Sequence, residues 1–114
     1  MSLEGIWTAE VYGPSGWDNH GVLLLQDGRM VGGDNQQYTM GTYKVCSEGF
    51  EAELKVDHYG RPRTIFGEAA EQYTTRMAGK LKDGVINGMV VRHDRPEFDL
   101  QIRLTKRMDF PTIA

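Results

Sequence analysis

The amino-acid sequence predicts an all-β fold: a small, antiparallel, eight-stranded, up-and-down β-barrel, with a β-sandwich as the alternative. Three observations support this prediction. Apolar residues alternate with polar ones in short segments. The 14 glycines fall mostly between those segments, where tight turns need positive φ angles. No ten-residue stretch carries apolar residues at helical spacing. Closing such strands into a barrel buries their apolar face and also removes the exposed sheet edges.

The N-terminal third of the chain shows the strand pattern and its first turn. In the first predicted strand, polar residues alternate with three apolar ones, Trp7, Ala9 and Val11. Residues 22–25 form a continuous apolar run, which is typical of a strand covered on both faces; a partner chain would be one such cover. Asp27-Gly28 then separates two β-prone runs, as a two-residue primed hairpin turn requires.

A second Asp-Gly pair, Asp83-Gly84, predicts the register of another hairpin. If Lys82 and Val85 flank this turn, the apolar face carries three cross-strand pairs: Leu81 with Ile86, Gly79 with Gly88, and Met77 with Val90. The turn and the hydrophobic pattern therefore agree on one register.

Two further strands alternate clearly. Residues 50–58 direct their even-numbered members, ending with His58, to the inner face, and residues 98–105 do the same with Phe98, Leu100, Ile102 and Leu104. Such large inward residues predict a mostly filled barrel lumen, with some room at the inward Gly79 and Gly88. Together the patterns predict eight strands, at residues 5–12, 21–26, 29–33, 37–45, 50–59, 73–81, 85–92 and 98–106. The pattern breaks between residues 60 and 72, where we expect a turn and then a loop or one helical turn.

Composition limits the classes of function. The chain of 114 residues forms a single domain, 1–114, with a net charge of -3 and a pI near 5.5, which argues against direct binding to nucleic-acid phosphates. The lone Cys46 allows no internal disulfide, and no segment has the pattern of a signal peptide or a membrane span. These observations predict a cytoplasmic protein.

A first resemblance lies at the start of the chain. Gly5-Ile6-Trp7 resembles the opening signature of lipocalin-like barrels. The resemblance implies that Trp7 closes one end of the barrel and that a basic residue of the last strand, here Arg103 or Arg107, lies over its ring in a cation–π contact.

A longer resemblance continues this motif through Gly21-Val22-Leu23-Leu24-Leu25, Asp27-Gly28, Gly32-Gly33-Asp34, Tyr38 and Gly41-Thr42-Tyr43. In order and spacing these residues resemble the GrlR-like family of negative regulators of type III secretion, best over residues 4–45. The resemblance implies a cytoplasmic, lipocalin-like barrel that is commonly a homodimer, and a regulatory protein partner in place of direct contact with DNA. Its structural signature here is Gly5, Trp7, Gly32, Gly33, Asp34 and Tyr43.

The partner-binding residues of that family are a run of alternating Glu and Asp in the turn before the fifth strand. The corresponding turn, residues 46–53, keeps Glu48, Glu51 and Glu53 but not a contiguous acidic run. These three glutamates are candidate partner-binding residues, and the sequence departs from the family pattern at this place.

Other candidate residues have an ordinary structural reading beside the functional one. His58, next to Asp57, is the best-placed general base or ligand contact, or else a rim histidine bonded to a neighbour. Trp17 lies in a turn-rich segment that could overhang the barrel mouth and touch a ligand or a partner, or else lie on its own sheet. Gly32-Gly33-Asp34 is not expected to bind phosphate, because no helix follows it. It predicts a glycine bend in which Asp34 accepts hydrogen bonds from nearby backbone amides. Residues 92–96 predict a solvated hairpin loop.

The three histidines share no metal-ligand spacing, and Cys46 lies in a turn with Ser47 and Glu48, which lacks the electropositive surroundings of a nucleophilic cysteine. We therefore expect no catalytic residue, no cofactor and no metal. The sequence predicts a non-catalytic binding protein that acts through protein–protein interaction, with a carrier or sensor of a small apolar ligand held in the barrel as the alternative.

Overall fold

The computed structural model describes residues 3–13, 16–47, 49–60 and 72–110. Eight antiparallel strands form one closed, up-and-down barrel in which each strand pairs with its neighbours in the sequence and β8 pairs with β1. The strands are β1 (Gly5–Gly13), β2 (Gly16–Gln26), β3 (Arg29–Gly33), β4 (Gln37–Cys46), β5 (Gly49–His58), β6 (Gln72–Lys82), β7 (Val85–Arg92) and β8 (Arg95–Met108). The predicted barrel is confirmed, and the sandwich alternative is wrong.

Both Asp-Gly pairs form the predicted hairpin turns. Asp27 and Gly28 have φ values of 52° and 76°, and Asp83 and Gly84 have 54° and 76°, as the primed turn requires at both central positions. The predicted register of the second hairpin is also confirmed, because the β6–β7 ladder pairs Leu81 with Ile86, Gly79 with Gly88, and Met77 with Val90.

Two strands, β2 and β8, begin several residues earlier than predicted. β2 starts at Gly16 because a bulge near Gly21, whose φ is 103°, lets the strand continue although the alternation of its side chains shifts there. β8 starts at Arg95, so the predicted hairpin loop of residues 92–96 shrinks to the turn of His93 and Asp94. The turn and loop predicted within residues 61–71 lie outside the described residues.

The core fills the barrel most tightly at one end, here called the closed end. Trp7 is completely buried there, and its indole Nε1 donates a hydrogen bond of 2.8 Å to the carbonyl oxygen of Leu3. The other side chains buried to a similar degree come from six further strands and share this apolar interior: Leu25, Met30, Phe50, Met77, Ile86 and Leu104. Polar side chains line the lumen towards the opposite end of the barrel, which is here called the polar end.

Close strand contacts explain two of the inward glycines. A Cβ at Gly41 would lie 1.8 Å from the carbonyl oxygen of Glu53, and one at Gly88 would lie 2.1 Å from that of Ala78. Gly79, opposite Gly88, is also the ladder partner of Phe50, whose ring is part of the core. The glycines therefore permit the sharp coiling of a small barrel around large core side chains.

Candidate functional site

An outward apolar patch lies on β2, β3 and β4 and on the residue that follows β5. Six of the ten large hydrophobic residues that the described part of the chain exposes belong to it, with exposed fractions from 41% to 63%. They are Val22, Leu24, Val31, Tyr38, Met40 and Tyr59, and together they are called the apolar patch below. Contiguous apolar surface of this kind marks interaction sites on soluble proteins.

The ladder explains why these side chains lie together. Leu24 pairs with Val31, and Val31 pairs with Met40, so three apolar side chains form one row across three strands. In the neighbouring row Val22 and Tyr38 both pair with Gly33, which has no side chain between them. Side chains opposite each other on one face of a sheet lie about 5 Å apart. The apolar patch is therefore continuous.

One edge of the apolar patch combines aromatic rings with a carboxylate. The rings of Tyr38 and Tyr59 stack with centroids 6.2 Å apart and planes inclined by 23°. The Tyr38 hydroxyl donates a 3.1 Å hydrogen bond to Oδ2 of Asp57, which raises the pKa of Tyr38, and the Tyr59 hydroxyl donates to the carbonyl oxygen of Asp34. Both rings are thus held at the surface in fixed orientations.

The barrel lumen holds a cavity of about 70 Å³ towards the polar end. Apolar side chains from six strands form most of its wall, and five polar residues complete it: His20, Gln37, Thr39, Tyr73 and Thr75. A cavity of roughly 150 Å³ binds one benzene molecule, so this smaller cavity holds a few atoms and no long lipid chain. This small volume agrees with the prediction of a mostly filled lumen. The cavity lies nearer the polar end than Gly79 and Gly88, where we expected the room to be.

His58 lies at the polar end of the lumen, on the inward face that the alternation of β5 predicts. Its ring centroid is 5.9 Å from that of Tyr73, and Tyr73 in turn lines the cavity. The Arg92 guanidinium lies on the same tyrosine, with Cζ 5.3 Å from the ring centroid. His58 is thus part of a group of side chains around Tyr73.

Arg92 is a residue whose position the sequence prediction got wrong. It is buried at the end of β7, where the expected solvated loop would have exposed it, and its Nε donates a 2.7 Å hydrogen bond to Oδ1 of Asp94. The inward alternation of β7 runs through Ile86 and Val90 and simply continues to Arg92. That alternation was the signal that could have identified this buried charge.

Trp17 has one of the two placements that the sequence left open. It lies on β2, on the outer face of the barrel, with its ring centroid 5.4 Å from that of Tyr12 in an edge-to-face contact. The guanidinium carbon of Arg103 lies 4.2 Å from the centre of the Trp17 ring, and Arg103 also forms two hydrogen bonds to Glu10. Of the two placements, packing onto its own sheet is confirmed and the overhang at the barrel mouth is wrong.

The cation–π contact expected over Trp7 is also wrong, because Arg103 contacts Trp17. Odd-numbered residues of β8 point outwards, and Arg107 accordingly donates a hydrogen bond to the Thr8 hydroxyl on the outer face. The ladder sets Lys106 opposite Trp7. Because side chains alternate along β8, the residue opposite Trp7 is Lys106 and not either of the predicted arginines.

The candidate glutamates are distributed between a strand and the turn. Glu51 and Glu53 lie on the outer face of β5, and each is paired with a cation of a neighbouring strand, Lys44 at 3.3 Å and Arg76 at 3.8 Å. Glu48 lies outside the described residues. Two of the three acidic side chains thus belong to exposed, charge-balanced pairs, which contribute little to stability.

The remaining signature residues have structural roles. Oδ1 of Asp34 accepts hydrogen bonds from the backbone N–H groups of Gln36 at 2.8 Å and Gln37 at 3.1 Å, as the predicted glycine bend requires. Tyr43 stacks on Phe50, and its burial raises the pKa of its hydroxyl. A Cβ at Gly5 would lie 2.3 Å from the carbonyl oxygen of Met108, and one at Gly32 would lie 2.0 Å from that of Val22. Close strand packing therefore accounts for glycine at both positions.

The sequence reasoning missed most of the apolar patch. Residues 22–25 were recognised as an apolar run, but Val31, Met40 and Tyr59 were not connected with it, because their proximity depends on the β2–β3 and β3–β4 registers. The signal that could have found them is an apolar residue at an outward position in three consecutive strands.

Other kinds of site are not seen within the described ranges. They contain no group of three or more His, Cys, Asp or Glu side chains suited to holding a metal ion. They also include no helix of the length and hydropathy that crossing a membrane requires. No protein-family model matches the chain, and none of the curated proteins compared with it gives a significant match. The apolar patch is the best candidate for a functional surface.

Proposed function

We propose that this protein works without catalysis, through protein–protein interaction, and that the apolar patch is its contact surface. The observation that supports the proposal is the row of Leu24, Val31 and Met40, which are all exposed although the ladder holds them side by side. Exposing such a row to water costs free energy that burial against another protein recovers, at roughly 25 cal/mol per Å² of apolar surface.

The occupant we propose is a second copy of the chain, which makes the protein a homodimer. In a two-fold dimer the same patch meets itself, so it must be self-complementary. The apolar patch satisfies this condition because its central row carries no charge, and its burial would leave no ion unpaired. The charged outer surface where Lys44 of β4 meets β5 and β6 is less suitable, because the ion pairs of Glu51 and Glu53 would lose water there.

We also propose a regulatory role, on the basis of the resemblance to the GrlR-like family. The closed eight-stranded barrel agrees with the lipocalin-like fold that the resemblance implies. The ion pairs of Glu51 and Glu53 leave less free negative charge than the family's acidic run would carry, so a regulatory partner would bind mainly at apolar surface. The cytoplasmic location belongs to the same proposal.

The alternative is a carrier or sensor of a small apolar ligand in the lumen. The lumen cavity supports it in one respect, because its walls are mostly apolar. At about 70 Å³, however, it limits such a ligand to a few non-hydrogen atoms. The lumen therefore favours the interaction role over carriage of a lipid.

The proposed dimer is tested with two methionines that differ in position. Met40 lies in the apolar patch, whereas Met89 is exposed on β7, outside it. We expect the wild-type protein to sediment at twice its 12.9 kDa mass at micromolar concentration, Met40→Asp to sediment as a monomer, and Met89→Asp to remain dimeric. A monomeric wild type, or a Met40→Asp variant as dimeric as Met89→Asp, would refute the proposal.

A further inference from the structure

The edge of the apolar patch formed by Tyr38, Tyr59 and Asp57 has the chemistry of a cation-binding site. Two stacked tyrosine rings, both exposed, stand beside a carboxylate. Aromatic faces attract cations through their quadrupole, and a planar guanidinium can stack on a ring while its N–H groups reach a neighbouring carboxylate. An ammonium group is a compact charge that cannot match this combination as well.

The Asp57 carboxylate is negatively charged and is held by neutral donors. Its Oδ2 accepts hydrogen bonds from the Tyr38 hydroxyl at 3.1 Å and from Nε2 of Gln72 at 2.8 Å, and its Oδ1 accepts one from the His58 backbone N–H at 2.8 Å. These bonds, with that from Gln72 foremost, lower the pKa of Asp57. Each carboxylate oxygen can accept about two hydrogen bonds, so Oδ1 retains room for one more donor.

The described residues supply Asp57 with no ion pair. Its nearest cationic neighbour along the outer face of β5 is Lys55, two residues away, which acts on it only through the longer-range field. The acidic side chains in the first half of β5 differ in this respect. Glu51 and Glu53 each form an ion pair with a cation of a neighbouring strand. Asp57 is therefore a fixed negative charge whose counter-ion can come from another molecule.

We propose that Tyr38, Tyr59 and Asp57 form a binding site for a guanidinium group, and that Arg29 of the partner subunit occupies it. This inference rests on the dimer proposed above, and it specifies how the two copies are aligned. Arg29 is exposed at the start of β3, at the opposite end of the apolar patch, and it forms no ion pair with the described residues.

The register makes Arg29 and Tyr38 symmetric about the centre of the patch. Arg29 is two residues from Val31, and Tyr38 is two residues from Met40 in the opposite direction, while Val31 and Met40 are ladder partners. At about 3.4 Å per residue, each lies about 7 Å from this central pair. A two-fold axis running across the strands at the level of that pair exchanges the two ends of the patch.

The same axis brings the partner's Arg29 over Gly33, which has no side chain to obstruct it. Tyr38 is the ladder partner of Gly33 on one side, and Asp57 is the ladder partner of Tyr38. Neighbouring strands are about 4.8 Å apart, so an arginine side chain reaches from Gly33 across one strand to the tyrosine rings and the carboxylate. Each dimer contains two such contacts, one at either end.

The test is a charge exchange between chains, measured as the dimer dissociation constant by sedimentation. Arg29→Glu alone sets like charges against Asp57, and Asp57→Arg alone sets like charges against Arg29, so each variant should dimerise at least about tenfold more weakly than the wild type. An equimolar mixture of the two variants restores opposite charges at both ends. We expect this mixture to form heterodimers with an affinity within about threefold of the wild type.

Two further variants separate this site from general effects of charge. Arg76→Glu changes an exposed arginine on β6, outside the patch, and should leave dimerisation unchanged. Arg29→Lys keeps the charge but lacks the planar group, so it should weaken the dimer several-fold if a guanidinium is recognised.

The outcomes distinguish this inference from the proposed function. If Met40→Asp abolishes the dimer while Arg29→Glu and Asp57→Arg have no effect, the patch is the interface but the guanidinium site is refuted. If both charge variants weaken the dimer and their mixture does not recover it, Arg29 and Asp57 do not meet and the alignment is wrong. A monomeric wild type refutes the inference together with the dimer.

Discussion

The guanidinium carbon of Arg103 lies 4.2 Å from the centre of the Trp17 ring, and the same guanidinium donates hydrogen bonds of 3.1 and 3.3 Å to the Glu10 carboxylate. The cluster joins β1, β2 and β8, so it fastens the first hairpin to the strand that closes the barrel. These side chains lie on the outer face, where the Trp17 ring and the Glu10 carboxylate both contact Arg103.

Replacing Trp17 by alanine should destabilise the barrel through loss of the cation–π and edge-to-face contacts. We expect the free energy of unfolding to fall by about 1 to 2 kcal/mol. Urea unfolding followed by the fluorescence of Trp7, the remaining tryptophan, measures the change. Trp17→Phe keeps an aromatic ring and should lose less; an equal loss in both variants would argue against the stacking.

Acid should weaken the same cluster through Glu10. The hydrogen bond from Arg103 lowers the pKa of Glu10 below its ordinary value of 4.5. A carboxyl whose pKa is lower in the folded state contributes stability that is complete above the unfolded pKa and is lost as the pH falls through the folded pKa. Unfolding free energy measured against pH should therefore decline below about pH 4.5. Glu10→Gln should decline less steeply, and an identical slope would show that Glu10 is not the group responsible.

A methyl group at Gly41 should not fit between β4 and β5. Its Cβ would lie 1.8 Å from the carbonyl oxygen of Glu53, so Gly41→Ala must shift the backbone of one strand. Overpacking of this kind costs about 1 to 3 kcal/mol and can cost more when backbone has to move. The matched control is Gly13→Ala, since no described atom lies within 4 Å of a Cβ there. Thermal unfolding should show a large loss for the first variant and almost none for the second; equal melting temperatures would contradict the close approach.

The small lumen predicts that the purified protein carries no lipid. The cavity of about 70 Å³ is about half the size of the roughly 150 Å³ cavity that binds one benzene molecule, so it is too small for an acyl chain. Native mass spectrometry should give only masses of the bare chain and its oligomers. A co-purified lipid that leaves on denaturation would mean that the barrel opens, and it would favour the carrier alternative over the interaction role.

Much of the barrel could be predicted from the sequence because its signals are local. A primed turn fixes the register of the hairpin around it, and the period of two then assigns each side chain to a face. This is why the β6–β7 pairs, such as Met77 with Val90, were predicted correctly. The same reasoning failed at Gly21, where a bulge shifts the alternation, and at Arg92, whose charge predicted a solvated loop although the alternation of β7 points it inwards.

The candidate site was predicted less well, because it depends on which strands are neighbours. Glu51 and Glu53 were considered as candidate partner-binding residues, but the ladders set a cation beside each of them. Asp57, mentioned only as the neighbour of His58, became the centre of the proposed guanidinium site once Tyr38 and Tyr59 were found beside it. Side-chain neighbours across strands have no fixed separation in sequence, so no local pattern identifies them.

The sequence by itself determined the all-β class, the number of strands, the two Asp-Gly turns and the inward positions of side chains such as Trp7 and Phe50. It could do so because turn chemistry and alternation act over a few residues. Only the tertiary structure decided that Leu24, Val31 and Met40 form one exposed row, that Arg103 lies on Trp17, and that the lumen keeps so little space. The physical reason is the closure of the barrel. Closure fixes the register of all eight strands at once and brings together residues that are distant in the chain.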